Sequence, residues 1–169
     1  MSEFMMPVDE EFAPYDHQLA QLRVPPHSTE AESSVLGGLL LDNQAWDRVG
    51  DLLIESDFYR FEHRLIYAGI AKLVNASKPA DVITVYEHLQ SIGKSEEVGG
   101  LAYLNALAQY VPSASNIRRY AEIVRERAIL RKLVTASDEI ATAAFNTQGR
   151  PVDKILDEAE QKIFNIGEE

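Results

Sequence analysis

Residues 115–145 read SNIRRYAEIVRERAILRKLVTASDEIATAAF, a run with neither proline nor glycine. It is rich in Ala, Arg, Glu, Ile and Leu, so it predicts one long helix. Ile117, Ala121, Val124 and Ala128 mark one apolar stripe at helical spacing. Ile129, Leu130, Leu133 and Val134 carry apolar character further round the cylinder. A helix apolar on more than one face must be covered on more than one side. After it, Gly149 and Pro151 form a stop-and-restart pair. A last helix over 151–166 then presents Val152, Ile155, Leu156, Ala159, Ile163 and Phe164 on a narrow stripe. The two helices read as an antiparallel hairpin. The narrow stripe covers only part of the long helix. The remainder falls to the preceding segment or to a second copy of the chain, and self-association through the hairpin is the expectation.

Working back from residue 115, the pattern stays helical. Thr29 and Glu32 fit a capping box, with Ser28 as a competing N-cap. Val35, Leu36, Leu39 and Leu40 recur at helical spacing around Gly37 and Gly38. Glycine inside a helix costs up to ~1 kcal/mol relative to alanine, so close approach of another backbone is the expected compensation. Asp42 or Asn43 caps a second helix with Ala45, Trp46, Val49, Leu52 and Leu53 inward. Asp57-Phe58-Tyr59 reads as a connector. A third helix buries Leu65, Ile66, Ile70, Leu73 and Val74. Asp81 caps a fourth (Val82, Val85, Tyr86, Leu89) that stops near Gly93. A fifth follows Gly99 and Gly100, with Leu101, Leu104, Leu107 and Ala108 inward, and ends before Pro112. No period-2 alternation is sustained. The fold class is therefore all-α, a compact helical head followed by a long antiparallel helical hairpin. The divisions are an N-terminal arm over 1–25, broken by Pro7, Pro14 and Pro25, a head over 26–111 and the hairpin over 112–169.

The composition narrows the chemistry. The 169 residues carry 16 Lys+Arg against 27 Asp+Glu, a net charge of −11. Such acidity argues against a chain that grips a phosphate backbone over its whole surface. With no cysteine there is no disulfide framework, thiolate zinc site or Cys nucleophile. Val35 to Leu41, the most apolar run, falls far short of the roughly 18 residues that span a bilayer. The start lacks the basic and apolar regions of a leader. A cytoplasmic location and no membrane partner are expected.

Catalytic signatures are missing. No G-x-S-x-G, G-x-G-x-x-G or G-x-x-x-x-G-K-[ST] occurs. Glu62-His63 is a fragment of H-E-x-x-H, but Tyr67 stands at the i+4 position. A metal site from His63 and Asp57 is conceivable; a surface or helix-terminal histidine is the plainer reading. Arg118, Arg119, Arg125, Arg127, Arg131 and Lys132 make the long helix the most basic segment. They fit a nucleic-acid surface, or a solvated face balanced by Glu122 and Glu126. No interleaved aromatics favour the first. Tyr103 and Tyr110 are candidates for partner contacts or for burial in the head.

Several ordered stretches together resemble the opening of bacterial replicative DNA helicases of the DnaB family. They are Val24-Pro25-Pro26-His27-Ser28-Thr29-Glu30-Ala31-Glu32 with Val35-Leu36-Gly37-Gly38-Leu39 and Leu41-Asp42-Asn43; Asp57-Phe58-Tyr59; Val98-Gly99-Gly100 with Ala102-Tyr103-Leu104; Pro112-Ser113-Ala114; and Tyr120-Ala121 with Ile123-Val124-Arg125-Glu126-Arg127-Ala128. The resemblance runs from about residue 24 to the end.

The resemblance implies the N-terminal collar domain of a hexameric helicase, paired through its hairpins into a trimer of dimers. It implies docking of the primase C-terminal domain on that collar, and a helicase loader as a further partner. The parent moves 5′ to 3′ on single-stranded DNA with ATP and Mg, through a RecA-type motor that would follow this segment. No P-loop occurs up to Glu169, so the chain is expected to have no ATPase or helicase activity, no cofactor and no DNA contact of its own. It reads as the domain separated from its motor, or as a naturally short homologue. The self-association residues would be Ile129, Leu130, Leu133, Val134, Ile140, Ile155, Leu156 and Ile163. Glu30 and Tyr103 are the candidates for primase contact. A helical domain that binds nucleic acid through its arginines is the alternative.

Overall fold

The computed structural model describes residues 24–110 and 116–168, and all regular structure among them is helical. Helix α1 spans Thr29–Leu41, and a 3-10 turn over Asn43–Ala45 leads into the short α2, Trp46–Val49. A second 3-10 turn covers Glu55–Asp57. Then come α3 (Phe61–Asn75), α4 (Val82–Ser91), α5 (Gly100–Tyr110), the long α6 (Ile117–Phe145) and α7 (Val152–Glu168). Of the arm read over 1–25, residues 1–23 lie outside the described residues, as does Pro112.

Helix α1 is the centre of the head and packs against α3, α5 and α6. Val35, Leu36 and Leu39 are fully buried on it. Opposite them, Ile66 and Ile70 of α3, Val85 and Leu89 of α4, and Leu104 of α5 close the core. The first half of α6 adds the expected stripe, with Ile117, Ala121, Val124 and Ala128 all buried. The long helix is thus anchored in the head by its N-terminal turns and leaves it to pair with α7.

Four local readings need correction. Ser28 is the N-cap of α1, because its extended backbone turns its hydroxyl to accept from the Ala31 N–H. Glu32 takes no part in a capping box; its carboxylate points inward. Gly38 makes room for a side chain rather than a backbone, since a Cβ there would lie 2.8 Å from Cδ1 of Ile117. The second helix ends at Val49, well short of Leu53. There Gly50 lets the Trp46 indole fold over it, at a spacing where a Cβ would sit 2.6 Å from the ring nitrogen. The two capping candidates divide the work. Asp42 accepts from the Gln44 N–H, while Asn43 donates to the Leu39 and Ala80 carbonyls and accepts from the Ala80 N–H. Asn43 thereby ties the end of α1 to the segment before α4. Asp81 caps α4 as expected, accepting from the Thr84 N–H at 2.9 Å.

Among the described residues, no helix is long and apolar enough to cross a membrane.

Candidate assembly and docking surface

Large apolar side chains are exposed on the head, at Leu41, Ile54, Phe61, Ile83 and Ile92, and along both helices of the hairpin. An ion pair joins the two hairpin helices, Lys162 to Glu139 at 2.8 Å, and Arg150 in the connection between them pairs with Glu158 of α7. Helix α7 has no fully buried residue. Leu130 and Val134 on α6 are 43% and 48% exposed, and Leu156 and Ile163 on α7 are 58% and 47% exposed. Ile129, Leu133, Ile140 and Ile155 are half-buried. So the eight residues singled out on the hairpin separate into two groups. Four help close the hairpin and four face outward. The sequence reading left out Phe145, Val152 and Phe164 as self-association residues, yet they are among the most exposed large apolar side chains. Phe145 closes α6 and Val152 opens α7, so both sit at the hairpin tip, where helical periodicity gives no facing direction.

The head holds a buried polar cluster that the sequence reading did not find. His63 is fully buried, not a surface histidine. Its Nδ1 lies 2.7 Å from Glu32 Oε1 and its Nε2 lies 2.6 Å from the Tyr103 hydroxyl. Glu32 is also buried, and its carboxylate accepts from the backbone N–H of Tyr59 at 2.8 Å and of Arg60 at 3.4 Å. A buried carboxylate needs several such donors to offset its lost hydration. The cluster links α1, α3 and α5 with the segment entering α3. Helical phase was the available signal. Glu32 stands three and four residues before Val35 and Leu36, and His63 three and four before Ile66 and Tyr67, on the buried faces of their helices.

Asp57 does not join His63. Its carboxylate accepts from the Ile54 N–H at 2.9 Å and from Arg125 at 2.9 Å. Both candidate ligands are therefore held apart by other partners, and no group of three His, Cys, Asp or Glu suited to a metal occurs among the described residues.

Four arginines of α6 have assigned partners. Arg118 and Arg119 are exposed and pair with Glu122, Arg119 also with Glu126, and Arg118 donates to the Arg48 carbonyl at 3.4 Å. Arg125 and Arg131 are half-buried against the head. Arg131 donates to the Pro26 carbonyl at 2.8 Å and to the Asp57 carbonyl at 2.6 Å, and lies over the Tyr59 ring. Burial pulls the Arg131 guanidinium down, and Glu32 and Asp57 oppose that pull. Tyr59 in turn stacks on His27, with ring centroids 4.2 Å apart.

Of the two candidate primase contacts, Glu30 is exposed in the first turn of α1. Tyr103 is half-buried, with its hydroxyl committed to His63. Burial pushes its phenol up, Arg60 opposes this, and Glu62 adds to it.

The comparisons with known proteins agree with this architecture. A family model described as the DnaB-like helicase N terminal domain matches residues 24–126. Replicative DNA helicase DnaB of Haemophilus influenzae is 48% identical over 153 residues, which are 90% of this chain and 33% of that relative. Its counterpart in Geobacillus stearothermophilus is 38% identical over 151 residues, 89% of this chain and 33% of its own. The chain thus spans about a third of the length of these relatives. The crystal structure of the N-terminal domain of DnaB helicase from Mycobacterium tuberculosis superposes with a TM-score of 0.79 at 37% identity, covering 83% of this chain and 99% of that one. A solved DnaB-like replicative helicase, described with its interactions with primase, shares the fold with a TM-score of 0.68 at 22% identity, over 82% of this chain and 31% of its own. With its helical head, its uncovered hairpin and a family match over most of its length, the chain belongs to the DnaB-like helicase N-terminal domain family.

Proposed function

We propose that this chain serves as an assembly and docking domain of a replicative helicase. In that role it pairs with a second copy through the hairpin, builds the collar of a hexamer and receives primase on it. The observation that carries the reading is the outward stripe of Leu130, Val134, Leu156 and Ile163, which the described residues leave exposed. Apolar surface removed from water contributes about 25 cal/mol per Å², so such a stripe favours a partner of like character. A twofold pairing of hairpins is self-complementary and satisfies it with one patch. In the cytoplasmic parent, ATP and Mg would act in a following motor domain that unwinds DNA 5′ to 3′, and a loader would place the ring.

Primase docking is assigned to the exposed side of the head around Glu30 and Tyr103, next to the hairpin. The likeness to a helicase described with its interactions with primase supports primase as the partner, and the exposure of Glu30 is the ground for the position. Titration of a labelled primase C-terminal domain with the chain, read by fluorescence anisotropy, tests it. Saturable binding that weakens in Glu30→Arg is expected. No binding, even when the chain is placed in an intact hexamer, would contradict it.

A further inference from the structure

We draw no further inference here: the strongest candidate, the apolar groove between α6 and α7 lined by Ile140, Ala159, Glu160, Ile163 and Phe164, belongs to the pairing surface of the hairpin already described.

Discussion

Both ring nitrogens of His63 have partners, and that fact gives the head its most sensitive point. Glu32→Ala would leave His63 Nδ1 and the Tyr59 N–H without their acceptor in a site closed to water. An orphaned buried polar group costs about 1–3 kcal/mol, and two are lost together here. Urea unfolding should therefore show a loss of about 2–5 kcal/mol for Glu32→Ala, against about 0.5 kcal/mol or less for Glu30→Ala on the exposed side of the same helix. The tyrosines set the alkaline limit. Burial pushes the phenols of Tyr67 and Tyr103 up from their ordinary value. Their folded-state affinity for the proton exceeds that of the unfolded chain. The stability they contribute is then fully present below the unfolded value of about 10 and is lost as the pH rises through the folded value. Unfolding midpoints should fall above about pH 10, and less steeply in Tyr67→Phe, which also gives up the bond to the Leu53 carbonyl.

At the level of elements, α6 does two jobs, and its arginines divide accordingly. Arg131→Ala removes two hydrogen bonds to head carbonyls and the contact with Tyr59, and should cost about 1–3 kcal/mol in denaturant. Arg119→Ala breaks only exposed pairs with Glu122 and Glu126 and should stay within about 0.5 kcal/mol. Sequence periodicity foretold most of these elements. Spacing of Leu36, Leu39, Ile66, Ile70, Leu104 and Val124 located the core faces, and Asp81 and Gly149 marked ends. It failed where structure depends on contacts between distant segments. The Trp46 helix stops after Val49 and its indole packs against Gly50, a contact that no propensity foretells. The joining of Arg125 to Asp57 and of Arg131 to Pro26 spans head and hairpin, and a charge pattern along one helix reads the same whether an arginine faces solvent or a carbonyl. Glu32 and His63 were legible in principle, because each occupies a core position of its helix. Reading Glu32 as a capping-box partner of Thr29, and His63 as a surface or helix-terminal residue, hid them.

For the whole molecule, the account rests on the difference between its two ends. The head has a closed core around α1 and exposes Leu41, Ile54, Phe61, Ile83 and Ile92 at separate elements, whereas α7 buries no residue fully and the hairpin leaves Leu130, Val134, Leu156, Ile163 and Phe164 exposed. The same contrast explains why the acidic composition does not describe every surface, since cationic side chains gather where the hairpin meets the head. Pairing of two hairpins is the central claim. Sedimentation velocity of the chain at tens of micromolar, beside Leu156→Asp and Val134→Asp, tests it most directly. The account predicts a concentration-dependent dimer or larger species for the unaltered chain, and a monomer of unchanged helical content for both variants. A monomer for the unaltered chain at that concentration, or assembly undisturbed by both substitutions, would contradict it.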